Sequence, residues 1–399
     1  MNPRANYVFW KLRTYTQYLL QFPLAFRRKI KVRSIGSLPR VRNGKINEQH
    51  ILLLNSLYRQ PTFIASSVGN SPDHFPAREK DNEYLFFGVK PMLLLKRRIH
   101  GSEDMIENEF AHNLTVTLRE VGLKPELFWL DSTGKSNSHE SANQAQSLEA
   151  KLKQIRPTHL IIDSNQSTQD SLLSESSLFD LKCRYGIKVI VIMLDFSTTK
   201  LQYWCRRLAD VLVYCRPDQE SKIRTITKAR LLCWPGSPYP SISNLEAKRE
   251  IDFFYSGSAS RNRKDFLTSF TDADMKCKIN FGNRVRAQSY SYDDYMKTLL
   301  KSKITFSNGF VRRGEDLITG RALEAFSTQT LLIYEESKTM SYFFSPYSHY
   351  IPVKTGNELL AHTLYLLKND ELRKEIAESA HLFYKRNYSN LAFWSGVFN

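Results

Sequence analysis

The sequence predicts an α/β protein of two domains, in which each domain has a parallel sheet covered by helices. Short apolar runs alternate along the chain with longer segments of mixed polarity, and this alternation is typical of strands joined by helices. A stretch rich in Pro, Gly and Ser, PGSPYPSISN, interrupts the alternation. Because 399 residues are enough for two hydrophobic cores, we interpret the interruption as a linker.

The domain boundaries follow from this pattern. We predict a basic and aromatic segment over residues 1–50 and an α/β domain over residues 51–234. The linker covers residues 235–249, and a second α/β domain covers residues 250–399.

Apolar runs predict the strands of the first domain, and they are YLFFGV, MLLLKR, ELFWLD, HLIIDS, KVIVIMLD and DVLVYC. Helices are predicted between them over residues 105–121, 142–155 and 172–185. The first two helices end before Gly122 and Pro157, which are residues that stop a helix or start a strand.

The second domain shows the same alternation. Its first strand is predicted in IDFFYSGS, and a helix near residues 294–303 precedes a strand in ITFSNG. A short helix inside TGRALEAFSTQT then leads to a strand in LLIYEE, and a helical tail covers residues 358–386. Since helices separate these strands, a second parallel sheet is expected.

Positive charge is concentrated in the first 50 residues. The formal net charge is +17, and residues 1–50 contribute +10 of it, with 11 Lys and Arg against Glu48. The longest uncharged run there, residues 14–26, has 13 residues, which are too few to span a bilayer. Basic and aromatic residues mixed in this way are typical of a helix that lies in the interface of an anionic membrane. A basic arm folded over its own domain is the alternative.

Other features narrow the class of protein. Five cysteines without close pairs predict neither a disulfide framework nor a zinc site, and charges interrupt the apolar part of the amino-terminal segment, unlike in a signal peptide. We therefore expect a cytoplasmic protein, peripheral on the inner face of a membrane. Nucleic acid is not an expected partner, because the charge excess is terminal and no RNA- or DNA-binding motif is recognised. Neither a dinucleotide fingerprint nor a P-loop occurs.

Open α/β sheets bind ligands at the carboxyl ends of their strands. In the second domain the strand IDFFYSG ends at Gly257, which permits a tight turn. The residues around the following helix start suit a diphosphate, and they are Ser258, Arg261, Arg263 and Lys264. An ordinary strand-to-helix turn with solvated basic residues is the alternative.

Five segments follow one another in the second half of the chain, and they are FFYSGSASRNRKDFL, GRALEAF, TLLIYEE, YFFSPYSHYIPVKTGNELL and LLKNDELRKEIAESAHLFYKRNYS. This order, over residues 251–389, resembles the carboxy-terminal domain of GT-B glycosyltransferases, in particular the group-1-like branch related to CgeB-type proteins. The resemblance implies two Rossmann-like domains that face a cleft, with the acceptor in the first domain and a nucleotide-sugar donor in the second. The first half matches only as an α/β pattern.

The resemblance also implies roles for four residues. The carboxylate of Glu324 would accept hydrogen bonds from the ribose of the nucleotide, and Arg321 would meet a phosphate. Asp316, eight positions before Glu324, would face the sugar, and Glu315 beside it is the alternative. A surface Arg–Glu pair at i, i+3 is the structural alternative for the first two residues.

The sequence departs from the family pattern after this helix. The segment STQT places Thr328 and Gln329 where glycine is common. The change either tightens the donor site or alters the turn.

Catalytic residues are harder to assign. Asp195 follows the run KVIVIML and is the preferred general base or acceptor contact, and His100 is the rival. TDADMK has the spacing of a metal-binding DxD motif at Asp272 and Asp274, but it precedes the strand KCKINFG, so a turn is the favoured interpretation. No metal and no other cofactor is expected.

These inferences predict a glycosyltransferase that moves a sugar from a nucleotide-sugar donor to a glycan or lipid-linked acceptor at the cytoplasmic face of a membrane. A non-catalytic binding protein with the same fold is one alternative. A basic nucleic-acid-binding protein is the other.

Overall fold

A computed structural model gives two parallel sheets with helices between their strands. The residues it describes are 38, 41, 44–58, 86–95, 109–129, 138–163, 175–193, 208–217, 228–233, 248–258, 261–270, 273–282, 292–309 and 316–398. The amino-terminal segment and the predicted linker therefore lie almost entirely outside the described residues.

The strands of the described residues are β1 Pro91–Leu95, β2 Glu126–Trp129, β3 His159–Asp163, β4 Lys188–Met193, β5 Val211–Tyr214, β6 Lys228–Leu231, β7 Ile251–Ser258, β8 Cys277–Gly282, β9 Ser302–Ser307, β10 Leu331–Glu335 and β11 Ile351–Val353. The helices are α1 Glu48–Tyr58, α2 Glu109–Glu120, α3 Ser138–Ile155, α4 Glu175–Tyr185, α5 Arg261–Leu267, α6 Tyr292–Leu300, α7 Gly320–Ser327, α8 Lys338–Phe343, α9 Gly356–Lys368, α10 Asp370–Asn387 and α11 Asn390–Phe398.

The first compact unit has the sheet order β2-β1-β3-β4-β5-β6, and every neighbouring pair is parallel. Its helices are α2, α3, α4 and α11. The central strand β4 has five buried residues in succession, because helices cover both faces of a parallel sheet. This burial explains why KVIVIM is a continuous apolar run rather than an alternating one.

The second unit has the sheet order β11-β10-β9-β7-β8, again with parallel neighbours throughout. Its helices are α1 and α5 to α10. The side chains of Phe253, Phe306 and Ile333 from three adjacent strands are buried in one core with Leu359 and Leu360 of α9. The α/β class with two parallel sheets is confirmed.

Two terminal helices belong to a different unit from the one in which the sequence placed them. Helix α1 lies with the second unit, where the ring of Tyr58 stacks on Tyr365 with centroids 5.3 Å apart. Helix α11 lies with the first unit, where Trp394 is fully buried and its Nε1 donates to the hydroxyl of Thr117 at 3.1 Å. Both placements rest on contacts between residues far apart in sequence.

Several predicted elements also differ. The run YLFFGV is a turn where it is described, and Phe87 in it is 89% exposed. Strands β6 and β11 were not predicted, because KARL is too polar and IPV too short to show an apolar run. The helical tail is two helices, which meet at Asn369.

The strand order reverses once within each sheet. From β7 the chain goes to β8 on one side and then returns to β9 on the other side. In the first unit the same reversal places β2 and β3 on opposite sides of β1. Ligands of α/β proteins bind where the strand order reverses, at the carboxyl ends of the strands.

None of the helices in the described part of the chain has the length and apolar character that a bilayer span needs.

A buried histidine in the second unit makes its stability depend on pH. His362 bonds to the Tyr58 hydroxyl at 2.8 Å, and burial lowers its pKa to about 3. An unfolded histidine has a pKa near 6.5, so below that value the unfolded state binds a proton that the folded state does not. We therefore expect the free energy of unfolding to fall as the pH drops from 6.5 towards 3, by up to about 1.4 kcal/mol per pH unit for this residue. Urea unfolding of the wild type and His362→Gln at pH 7 and pH 5 tests this. An equal fall in both proteins would contradict it.

Candidate functional site

The candidate site lies at the strand reversal of the second unit, where β7 and β9 are neighbours. The segment after β7 contains α5, and the segment after β9 leads to α7. Parallel strands bring these two segments to the same edge of the sheet. The predicted donor-binding residues lie at the end of β7, in these two segments and in α7.

Arg321 of α7 fixes the end of β7. Its Nη1 donates to the carbonyl oxygen of Ser256 at 2.8 Å, and its guanidinium carbon lies 5.9 Å from the ring centroid of Tyr255. A Cβ atom at position 257 would lie 2.1 Å from that nitrogen, so only glycine leaves room for the contact. Gly257 was predicted to permit a tight turn, but it lies within β7, and the need for glycine there is steric because Arg321 approaches it.

Beside this contact lies a buried hydroxyl group. The side chain of Tyr255 is fully buried, and its oxygen has no hydrogen-bond partner among the described residues. It would lie 2.7 Å from a Cβ atom at position 257, next to the Arg321 guanidinium. An unsatisfied buried donor costs free energy, so a ligand oxygen at this position would be stabilised.

Arg263 of α5 is held at the end of the neighbouring strand. Its Nε donates to Oδ1 of Asn308 at 2.9 Å, and Asn308 is 2% exposed directly after β9. Lys264 is exposed on the same helix. The backbones of Ser258 and Arg261 lie in β7 and α5, but their side chains are outside the described part.

The start of α7 is held by strand residues rather than by its own cap. The Thr319 side chain makes no capping bond to the helix, and its hydroxyl bonds to Ser307 at 2.8 Å instead. The Tyr334 hydroxyl donates to the Leu317 carbonyl oxygen at 2.8 Å and accepts from the amide of Thr319 at 3.4 Å. The amide of Ala322 bonds to the Thr319 carbonyl oxygen at 3.0 Å, and no bond from the Thr319 side chain caps the first turn of α7.

Glu324 is a buried carboxylate in α7, one turn beyond Arg321. It is only 4% exposed, while the Arg321 guanidinium bonds to the backbone of Ser256. The surface-pair alternative is therefore not the arrangement in the structure. Its role towards ribose remains a prediction.

Asp316 is tied to the start of α8. Its two carboxylate oxygens accept from the Ser337 hydroxyl at 2.6 Å and from the Thr339 amide at 3.0 Å. The Thr339 hydroxyl also donates to the carbonyl oxygen of Asp316 at 3.1 Å. A carboxylate at a helix amino terminus is stabilised by the helix dipole. This structural use was not expected from the sequence, and the sugar-facing role stays a prediction for Asp316 and for Glu315, which lies outside the described residues.

The segment STQT forms the carboxyl cap of α7. Gln329 has a φ of +51°, and the amide of Thr330 bonds to the carbonyl oxygen of Ala325 at 2.9 Å, which is a Schellman arrangement that usually takes glycine. Arg249 donates to the carbonyl oxygens of Thr328 and Gln329 at 2.7 and 3.1 Å. This turn precedes the amino end of β10, at the edge of the sheet opposite the candidate site. The departure from the family pattern therefore alters the turn and does not line the site.

Of the remaining predicted residues, only Asp274 is described by the structure. His100 and Asp195 are outside the described residues, beyond the ends of β1 and β4. Asp274 lies before the amino end of β8, at the edge opposite the candidate site, and Asp272 is not described.

Sequence reasoning missed several residues that organise the site. Asn308, Ser337 and Thr339 carry no local signal, because each acts through a partner more than 20 positions away. Tyr334 lies in the run LLIYEE, which was predicted only as a strand. A hydroxyl group within such a run was the one available signal, since a buried tyrosine usually needs a hydrogen-bond partner.

Comparison with known proteins shows which class of protein shares this fold. Residues 243–392 match the model of the family described as glycosyl transferase-like. No curated protein matches the chain.

Three solved structures illustrate the shared fold. A glycosyltransferase from Rickettsia africae has 12% identity and a TM-score of 0.52, with 77% of this chain and 97% of that chain covered. Anabaena HepE, in complex with UDP and glucose, has 8% identity and a TM-score of 0.50, with 76% and 98% covered. Sucrose-phosphate synthase from Thermosynechococcus elongatus has 10% identity and a TM-score of 0.51, with 77% and 97% covered.

The chain thus has the two-domain GT-B fold of glycosyltransferases. Its second unit carries residues 243–389 of the segment that is glycosyl transferase-like. The resemblance to GT-B glycosyltransferases of the group-1-like kind is confirmed, whereas no comparison supports the narrower CgeB-type branch.

Two glycines at the site should differ in their tolerance of alanine. In Gly309→Ala the new Cβ would lie 1.9 Å from the Leu317 carbonyl oxygen, so the backbone before α7 must shift at a cost of about 1–3 kcal/mol. In Gly257→Ala it would meet only side-chain ends, namely the Arg321 guanidinium, which can rotate away, and the Tyr255 hydroxyl at 2.7 Å. Urea unfolding should therefore show the larger loss of stability for Gly309→Ala. The reverse order would mean that the Arg321 contact contributes more to stability than the turn at Gly309.

Proposed function

We propose that this protein is a glycosyltransferase that binds a nucleotide-sugar donor in its second unit and transfers the sugar to a glycan or lipid-linked acceptor. One observation carries the proposal, namely that Arg263, Arg321 and the buried Glu324 belong to the two segments that meet at the strand reversal of this unit. Two guanidinium groups suit a diphosphate, and a carboxylate suits the two hydroxyls of a ribose.

The chemistry of sugar transfer explains why such groups are needed. When the bond from the sugar to the diphosphate breaks, negative charge develops on the leaving phosphate oxygen. Arg263 and Arg321, together with the amide groups at the start of α7, would stabilise that charge. Their positions are fixed by Asn308 and Ser256, so little reorganisation is needed as the charge develops. Anabaena HepE, which shares the fold, is in complex with UDP and glucose.

The general base for the acceptor hydroxyl is proposed in the first unit, and Asp195 and His100 are the candidates. The two residues follow different strands. His100 follows β1, at which the strand order of the first unit reverses, whereas Asp195 follows β4. Loss of transfer with retained donor binding in Asp195→Asn or His100→Gln would identify the base.

A second candidate function is donor binding without transfer. The observation that favours it is Asp316, whose two carboxylate oxygens are both bonded at the start of α8 instead of being left for a sugar. Product analysis with a nucleotide sugar and extracted lipid or glycan acceptors separates the two functions. Tight donor binding with no product would favour the binding protein.

Glu324→Gln should weaken binding of a nucleotide sugar, and the thermal midpoint should stay within a few degrees. Loss of one charged hydrogen-bond partner typically costs about 1.5–3 kcal/mol, which corresponds to roughly a 10- to 150-fold weaker affinity. Calorimetry with UDP-, GDP-, ADP- and CMP-sugars first identifies the nucleotide and then measures the variant. An unchanged dissociation constant would refute the ribose contact.

The Arg263→Ala/Lys264→Ala double variant tests the phosphate contact separately from the ribose contact. It should weaken binding of the nucleoside diphosphate much more than binding of the bare nucleoside, because only the diphosphate is charged. Equal losses for both ligands would show that these residues do not contact the phosphates.

We also propose that residues 1–50 bring the protein to an anionic membrane surface on the cytoplasmic side. The support is the concentration of +10 of the net charge there, together with the aromatic residues among the basic ones.

Deletion of residues 1–33 should abolish cosedimentation with anionic vesicles and leave donor binding unchanged. The deletion stops before Leu38 and Val41, which pack against the core of the second unit. Binding of the full chain should also weaken from 0.1 M to 1 M salt, as the Debye length falls from about 10 Å to about 3 Å. Cosedimentation of the shortened protein would place the membrane contact elsewhere, and loss of donor binding would show that the segment supports the fold.

A further inference from the structure

A cavity of about 900 Å³ opens at the amino edge of the sheet in the first unit. It is formed where the chain enters β1, β3 and β4, so it lies at the edge opposite the carboxyl ends of these strands. Substrates of α/β proteins bind at the carboxyl ends, and the proposed transfer reaction therefore makes no use of this cavity. Its volume is within the range of small-molecule sites.

The walls of the cavity include exposed and half-buried aromatic rings. Phe87 is 89% exposed at the rim, in a turn between the buried Phe86 and β1. Phe398 contributes from α11, and Tyr185 contributes from the end of α4. Because the Phe87 ring remains almost fully in contact with water, covering it with an apolar group is favourable.

The charged groups that line the cavity are positive. They are Lys153, Arg156, Arg184 and Lys188, and none of the described lining residues is acidic. Glu149, outside the lining, bonds to Arg184 at 2.7 Å and to Lys153 at 3.2 Å. Among the described residues no carboxylate forms an ion pair with Arg156 or Lys188. Within the described part of the chain, two positive charges at the cavity thus have no ion-pair partner, which matches the charge of a phosphomonoester at neutral pH.

Arg156 occupies a backbone position that favours glycine. Its φ is +52°, directly after the last residue of α3. The two other helices of the unit that end in the same way use Gly122 after α2 and Gly186 after α4, with φ of +85° and +63°. A side chain at such a position is strained, and Pro157 restricts the backbone further. Retention of strain points to a use for the side chain.

A buried histidine adds a neutral donor to the wall. His159 is 8% exposed, and its Nδ1 lies 2.8 Å from the hydroxyl of Thr158. That hydroxyl oxygen accepts from the amide of Lys90 at 2.7 Å, and its own proton has two acceptors within reach, Nδ1 of His159 and the Lys90 carbonyl oxygen at 3.4 Å. Burial, together with the charge of Lys188, lowers the pKa of His159 to about 4, and the ring is neutral at pH 7.

We propose that this cavity binds a phosphomonoester carried on an apolar group. Arg156 and Lys188 meet the phosphate, His159 donates to it, and Phe87 and Phe398 cover the apolar group. Such a ligand is either a soluble phosphate ester or the headgroup of a lipid with a terminal phosphate. The site lies outside the proposed donor site and does not depend on the proposed function.

Calorimetry on the full chain tests the site with three probes, which are phenyl phosphate, dihexanoyl phosphatidic acid below its micellar concentration, and inorganic phosphate. Both esters should bind at least tenfold more tightly than inorganic phosphate, because only they cover the aromatic rings. The tighter of the two identifies the source of the ligand. Equal affinity for all three probes would indicate adventitious anion binding and overturn the proposal.

The Arg156→Gly variant distinguishes an effect on ligand affinity from an effect on folding stability. It should weaken binding of phenyl phosphate at least tenfold, and relief of the strained backbone should raise the thermal midpoint by about 2–4 °C. Gln329→Gly is the matched control, because Gln329 has nearly the same φ in the second unit. It should raise the midpoint without changing the affinity. Lys188→Gln provides a second variant at a residue with ordinary backbone geometry, and it should also weaken binding.

Undiminished binding of phenyl phosphate by Arg156→Gly and Lys188→Gln would overturn the proposal. Loss of binding in Arg263→Ala instead would place the phosphate at the donor site and would also overturn it.

Discussion

The hydrogen bond from Arg321 to the carbonyl oxygen of Ser256 is the contact on which the candidate site depends. It joins the start of α7 to the end of β7, at the position where the strand order reverses. The contact exists only because residue 257 has no side chain. Gly257 is required here by the approach of a guanidinium group and not by a turn.

Polar bonds from neighbouring strands extend this arrangement. Tyr334 and Ser307 hold the backbone before α7, Asn308 orients Arg263, and Asp316 fixes the start of α8. Bonds of this kind in a buried setting polarise one another and allow few alternative conformations. A site that stabilises developing charge gains from such fixed donors, since they need not reorganise during the reaction.

Much of the fold and part of the site could be predicted from the sequence. The α/β class followed from alternating apolar runs, and the positions of Arg321 and Glu324 on one helix followed from the segment GRALEAF. What could not be predicted was which partners these residues have. The burial of Glu324 and the bond of Arg321 to the backbone depend on β7, which lies about 65 positions earlier in the chain.

The sequence by itself determined the order of most strands and helices, because periodicity and helix-stopping residues are local properties, but it did not show β6, β11 or the break in the helical tail. Only the tertiary structure decided which strands are neighbours, and hence where the order reverses in each sheet. It also decided that α1 packs with the second unit and α11 with the first, since Tyr58 and Trp394 bury their rings against residues some 300 positions away. Asp316 was assigned to a sugar by resemblance, yet its carboxylate has partners on α8, and the free energy of satisfying a buried polar group depends on the whole surrounding fold.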